Sequence, residues 1–190
     1  MLWFFVLITI ISQVKLDSCS LENTLCSLCG KRQSIPNDEV ARLKKDIAGL
    51  KHRLTPVAFF AYRSSLLRVK SAMKHTVIIY NMVDLNLGNG YNKDSGKFTA
   101  PSDGLYLFHV STGVYDRSHA VVELALNGVT KDIGWSDSMN HNDRNQVTTA
   151  TPLNLKKGDV VYARIGNQNG GNYIESNQYI RTSFSGVKIM

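Results

Sequence analysis

A chain of 190 residues, 43% hydrophobic and 19% charged, can bury one full core, which excludes disorder as its ground state. Its net charge of +7 comes with no RNA- or DNA-binding motif, so no nucleic-acid partner is expected. No Gly-x-Ser-x-Gly elbow, His-Glu-x-x-His pair or phosphate loop occurs, and Gly88-Asn89-Gly90 lacks the third glycine of a dinucleotide site, so no enzyme is expected.

Residues 1–18 read as a secretory signal. Leu2 to Ile11 is apolar apart from Thr9, and Ser12, Gln13 and Lys15 follow. A retained anchor is the competing reading, but ten residues fall short of the roughly 20 that cross a bilayer as a helix, so no membrane span is expected. Residues 19–37 hold all three cysteines, Cys19, Cys26 and Cys29. As a zinc half-site, Cys26-x-x-Cys29 lacks a second pair, and as a redox motif it lacks a βαβ setting. An odd count in a secreted chain points to a free thiol or to interchain disulfides, here between neighbouring stalks. Cleavage after Ser20 would leave two cysteines and remove the parity argument.

Residues 38–55 change period. Val40, Leu43, Ile47, Leu50 and Leu54 are spaced three, four, three, four, the a/d pattern of a short coiled coil. Asp38 is expected to cap the helix and Thr55-Pro56 to end it. With Val40 at a, acidic Glu39 and Asp46 fall at g and Lys44 and Lys51 at e, which favours a parallel, in-register assembly. One amphipathic helix packed on its own domain is the alternative.

Residues 56–190 read as a β domain. Short apolar or alternating runs are expected as strands at 57–62, 66–70, 76–87, 97–99, 104–115, 120–126, 129–135, 146–155, 160–167 and 178–189. Asn89-Gly90 and Asn127-Gly128 are hairpin signals, and Ser95-Gly96 and Asp103-Gly104 punctuate further turns. In the sixth run Tyr106, Phe108 and Val110 share one face and Leu105, Leu107 and His109 the other, as in a strand covered on both sides. His109 is read as a packed histidine rather than a base.

Three polar loops are candidates for recognition: Tyr115 to His119, Asp137 to Asn145, and Asn167 to Tyr173. Within them Tyr115, Arg117, His119, Asp137, Asn142, Arg144, Asn169 and Tyr173 are the candidate ligand-binding residues. Carboxylates and amides coordinate Ca²⁺ or bind sugar hydroxyls, and tyrosine stacks on a sugar face. The competing reading is that Asn-rich loops are only turns.

The spacing of Tyr80, Asn86, Tyr91, Phe98, Gly104, Tyr106, Phe108 and Val110 resembles the signature of the complement C1q globular-head family. Tyr80 stands where Phe is usual, and Val110 where Phe or Tyr is usual. Phe184-Ser185-Gly186-Val187 resembles that family's closing strand. The resemblance covers roughly residues 57–190. It implies an all-β, two-sheet jelly-roll sandwich of about ten strands, with aromatics in its core and heads assembled as homotrimers. It requires no cofactor, admits Ca²⁺ and assigns that ion no ligand. No Gly-X-Y run occurs, so the chain is similar to the collagen-less members of the family.

Charge is unevenly placed. Residues 19–75 hold eleven basic and four acidic residues, whereas residues 76–190 hold ten of each. Three copies would gather about +21 near one end, which attracts anionic surfaces. The resemblance implies a secreted, lectin-like pattern receptor of innate immunity that binds microbial or anionic glycans through several heads. A cytokine- or hormone-like ligand of a host receptor, and a disulfide-linked matrix or mucus component, are the other readings.

Overall fold

In the computed structural model, residues 36–53, 55–138, 140, 142–167 and 172–190 are described. The expected signal segment, the three cysteines, Leu54 and Asn169 fall outside them. The chain divides into two compact units, Met1–Ala48 and Gly49–Met190.

Helix α1 spans Asn37–Arg53 and forms where the three-four spacing begins. Asp38 does not cap it. The Val40 amide donates to the Pro36 carbonyl, so helical bonding starts earlier, and Asp38 and Glu39 fall in the first turn, where the helix dipole favours negative charge. Leu43, Ile47 and Leu50 of the seam are exposed. Among the described residues no helix is long and apolar enough to cross a membrane.

The β unit is a sandwich of two antiparallel sheets built from twelve strands, against about ten expected. In chain order these are β1 (Ala58–Tyr62), β2 (Leu67–Arg68), β3 (Met82–Leu87), β4 (Tyr91–Asn92), β5 (Lys97–Thr99) and β6 (Gly104–Tyr115). Then come β7 (His119–Leu126), β8 (Val129–Asp137), β9 (Arg144–Leu155), β10 (Val160–Ile165), β11 (Tyr173–Glu175) and β12 (Ser183–Lys188). The first sheet follows the order β2-β11-β6-β12-β1-β3, with β9 on the other side of β6. The second follows β4-β5-β10-β7-β8. Strand β6 is the axis of the first sheet: β9 pairs with all of it, from Gly104 opposite Leu155 to Tyr115 opposite Arg144.

The expected strands at 76–87 and 178–189 are cut back most, each for a local reason. Residues 76–81 do not join β3: Thr76 and Ile78 bond to Ile165 and Ala163 of β10 in the second sheet, and the Tyr91 hydroxyl inserts against Tyr80. It accepts from the Tyr80 amide at 3.3 Å and donates to the Tyr80 carbonyl at 3.0 Å, satisfying backbone that a ladder would otherwise pair. Residues 178–182 do not join β12, because Asn177 Oδ1 accepts from the amides of Tyr179 and Ile180 and turns the chain. The turn after β3 also differs. Positive φ falls on Gly88 (79°) and Asn89 (52°), not on Gly90. Gly90 is needed for space, since a Cβ there would lie 2.4 Å from the Phe98 ring. Asn127 (50°) and Gly128 (88°) form the expected hairpin turn.

Strand β6 is not covered on both sides. Tyr106, Phe108 and Val110 are buried, whereas Leu105, Leu107 and His109 are half-buried on the outer face of the sheet. The core is an aromatic cluster around Phe59, whose ring stacks on Tyr91 at 4.9 Å and Phe98 at 5.1 Å and meets Phe184 edge-on at 4.8 Å. Such pairs add about 0.5–1.5 kcal/mol each beyond burial. Asn86 closes the turn before β4 by holding both backbone groups of Tyr91. Where the chain enters β1, the Val57 carbonyl accepts from the Lys188 amide. Met190 is equally close to the start of β6, accepting from the Leu105 amide. Both ends of the sandwich chain therefore lie at one end of the fold.

Candidate functional site

At the opposite end, the β6–β7 turn, the β8–β9 loop and the approach to β11 are stitched together. Asp116 and Arg117 both have positive φ (39° and 55°), which makes the β6–β7 turn tight. Its tip is held from two sides. The Asp116 amide donates to the Asp143 carbonyl at 3.1 Å, and Arg117 Nε donates to Asn142 Oδ1 at 2.8 Å. Buried Ser118 is the hub. Its carbonyl accepts from the amide and the hydroxyl of Ser138, and its Oγ accepts from the Tyr173 amide. Asn172 Oδ1 accepts from the His119 amide. Polar loops usually stay mobile, but the described residues of these are cross-tied to one another and to the sandwich through backbone groups.

The chemistry gathers around Arg144, the first residue of β9. Its Nε donates to both carboxylate oxygens of Glu175 on β11, at 3.0 and 2.9 Å. The Glu175 side chain is 4% exposed and receives a further hydrogen bond, at 2.6 Å, from Asn177 Nδ2. The Arg144 guanidinium carbon lies 5.2 Å from the ring centroids of both Tyr115 and Tyr179. Both rings are exposed, Tyr115 at 41% and Tyr179 at 73%. Gly113, opposite Glu175, makes the approach of β11 possible: a Cβ there would lie 2.7 Å from Ile180 Cδ1 and 3.2 Å from the Glu175 carbonyl oxygen. Among the described residues, Nη1 and Nη2 of Arg144 have no hydrogen-bond partner.

Of the predicted binding residues, Tyr115 and Arg144 face one another as register partners, and Arg117 and Asn142 are hydrogen-bonded. His119 and Asp137 are register partners at the start of β7 and the end of β8, and the His119 ring lies 6.0 Å from that of Trp135. Tyr173 is apart from Arg144 chemistry, its half-buried ring lying 5.9 Å from the Arg68 guanidinium. Tyr179 escaped the sequence reading because one strand was expected across 178–189, and Glu175 and Asn177 because they fall between that strand and the third candidate loop, which ends at Tyr173. A carboxylate between apolar Ile174 and small Ser176 was the available signal, since a buried carboxylate needs a cationic partner. Among the described residues no group of three or more His, Cys, Asp or Glu side chains is gathered to hold a metal ion.

A second surface is defined by what it lacks. Register pairs arrange the outer face of the first sheet in rows. One row is Leu87, Ala58, Val187, Leu107 and Pro152. The next is Leu85, Phe60, Ser185, His109 and Ala150. The third is Met82, Tyr62, Ser183, Ser111 and Thr148. None of these is Asp, Glu, Lys or Arg, and Asp84 falls outside the rows at the bulge of edge strand β3. Leu87, Val187, Leu85 and Met82 are each at least 40% exposed. The first two rows are largely apolar and uncharged, whereas the third is mostly hydroxyl-bearing and the Arg181 guanidinium lies 4.0 Å from its Tyr62 ring. The first two rows suit an interaction surface.

The family model described as C1q domain matches residues 58–188. Human complement C1q tumor necrosis factor-related protein 3 is 35% identical over 91 residues, covering 47% of this chain and 37% of that protein. The mouse protein of the same name is 35% identical over 99 residues, with the same coverage. The match therefore spans little more than a third of the length of these relatives. Among solved structures, the globular domain of zebrafish complement 1qA superposes with a TM-score of 0.55 at 16% identity, covering 70% of this chain and 98% of that one. Murine APRIL at pH 8.0 gives 0.55 at 14% identity, covering 70% and 99%. At such identities these two likenesses concern the fold.

Proposed function

The chain belongs to the C1q-domain family, and on that footing we propose that it is a secreted, non-enzymatic recognition protein whose heads assemble in threes and bind repeated glycans of microbial surfaces. The observation that carries this reading is two separate surfaces on one rigid sandwich. The first two, uncharged rows of the first sheet suit copies of the same chain, because they can be buried without stranding a charge. The cross-tied loop end presents arginine, tyrosine and amide groups fixed in place, the side chains that saccharide recognition uses. The exposed seam of α1 adds a second self-association surface, and its g and e charges favour parallel copies. Three weak sites on one assembly then bind a repetitive surface far more tightly than one. Interchain disulfides through Cys19, Cys26 and Cys29 belong to the same proposal, and comparison of reducing and non-reducing gels tests them.

The decisive experiment measures binding of the purified, secreted protein to whole bacteria and to a glycan panel, at low and raised salt, with and without a Ca²⁺ chelator. Sugar-competable binding that survives salt supports recognition by the loops, and chelator sensitivity adds the metal that the family admits. Binding abolished by salt alone assigns the effect to the basic N-terminal half acting as a polycation.

A second reading, a ligand for a host receptor, has its own observation. Edge strand β8 exposes Val129, Ile133 and Trp135, each more than half accessible, an apolar strip suited to a protein partner. Saturable binding to host cells that competing sugars leave unchanged would favour it.

A further inference from the structure

We propose that Arg144 is the anchor of a carboxylate site, and that the ligand it selects is an acidic saccharide carrying a uronic-acid-type carboxylate. This rests on the glycan-binding reading above and narrows it to a ligand class. A buried carboxylate needs its cation, and Arg144 supplies that to Glu175 through Nε alone. Asn177 adds a second donor to the same carboxylate. The structural duty of the arginine is thus met by one edge of its guanidinium. The edge formed by Nη1 and Nη2 is left over, and the side chain is 38% exposed. That edge matches the two oxygens of a carboxylate in one plane, and its direction is fixed in advance by the buried pair.

The surroundings favour a sugar over an acidic peptide. Two tyrosine rings flank the guanidinium, and both are too exposed to be explained by core packing. Aromatic faces take up the C–H faces of a pyranose. The exposed neighbours Asn142, Asn145 and Gln146 are amides, each engaged on one side. Asn142 Oδ1 accepts from Arg117, Asn145 Nδ2 donates to the Asp137 carbonyl, and Gln146 Nε2 donates to Ser111 and the Arg181 carbonyl. Asn142 Nδ2 is thus offered as a donor, and Asn145 Oδ1 and Gln146 Oε1 as acceptors, to sugar hydroxyls. Acidic groups near the anchor, Asp116 and Asp143, are tied through their backbones to each other's loops. They set a limit on ligands of high negative charge, so a single carboxylate fits better than a sulfated polymer.

The test uses the full secreted chain and three oligosaccharides that share one backbone, ending in glucuronate, in glucose and in a sulfated glucose, together with a Glu-rich peptide. Calorimetry should give a preference of about tenfold or more for glucuronate over glucose, as expected when a charged hydrogen-bonding partner is removed. Because Arg144 alone cannot be removed without stranding Glu175, the informative variant is the neutral pair R144Q/E175Q. It should lose the preference while its melting temperature stays near that of the parent. Tyr179→Ala, which leaves the ion pair intact, should weaken glucuronate binding several-fold. Equal binding of glucose and glucuronate would overturn the carboxylate site and leave glycan recognition standing. No binding to any sugar would remove both. Tighter binding of the sulfated sugar, lost in raised salt, or of the Glu-rich peptide, would also overturn the proposal.

Discussion

Two side chains in the core show how finely single residues are set. The Tyr80 hydroxyl is fully buried and, among the described residues, has no hydrogen-bond partner. Burial and the neighbouring Tyr91 push its phenol well above the tyrosine range, so it stays neutral at any working pH. Tyr91 differs. Burial pushes it up to about 12 against the pull of its bond to the Tyr80 backbone, and that bond uses its hydroxyl. Tyr80→Phe therefore removes an unpaired polar atom and should stabilise the protein by about 1 kcal/mol in chemical denaturation. Tyr91→Phe should destabilise it by a similar amount. Gly186 is the opposite case. A Cβ there would lie 2.6 Å from the Phe59 ring and 2.7 Å from the Phe108 ring, so Gly186→Ala should cost about 1–3 kcal/mol by the same assay.

At the scale of elements, pairing across β7 and β10 fixes a charge inside the second sheet. Glu123 is opposite Arg164, which donates to it at 2.7 Å, and Thr130 donates at 2.9 Å. Burial raises the Glu123 pKa, but the hydrogen bonds from Arg164 and Thr130 and the charges of Arg164 and His75 outweigh it, and the net shift is downward. The carboxylate thus stabilises the fold fully above its unfolded value of about 4.3, and that contribution is lost as pH falls through the lower folded value. Glu123→Gln should flatten the acid side of the stability profile, read by denaturation between pH 6 and 3. In α1, Ile47→Asp places a charge on the exposed seam. It should shift the mass measured by light scattering toward the monomer and leave the thermal transition of the β unit unchanged. The positions of most strands along the chain were legible because β6 and β9 alternate over most of their length and the hairpin at Asn127-Gly128 has one obvious chemistry. Long-range polar substitutions for backbone pairing were not. The Tyr91 hydroxyl against Tyr80 joins residues eleven apart, and the Asn177 turn depends on a side chain that reads like any loop amide. Phe59, at the centre of the aromatic cluster, looked like one of two adjacent phenylalanines until the pleat assigned it inward and Phe60 outward. Tyr115 and Arg144 could be singled out as loop residues, but Glu175 came to them only through the pairing of β11 with β6.

For the whole molecule, assembly and recognition should separate cleanly. Leu107→Glu puts a carboxylate into the middle of a charge-free row on the outer face of the first sheet. The half-exposed position tolerates it in a lone head, so the fold should persist, while sedimentation at micromolar concentration should show monomers. Such a variant should keep its affinity for a soluble monovalent sugar and lose most of its binding to intact bacteria, because only the multivalent term is gone.

The β chain enters at Val57 and leaves at Met190 on the same end of the sandwich. The twelve residues of β6, roughly 36 Å of extended chain, separate that end from Arg144 and its loops. Val57 and Met190 are therefore both remote from the loops. The head behaves as a detachable cartridge: different stems, tags or anchors can be spliced to its base, and the loops at its tip can be diversified independently. Stem length and tip chemistry are separate variables, for a protein engineer as for natural selection.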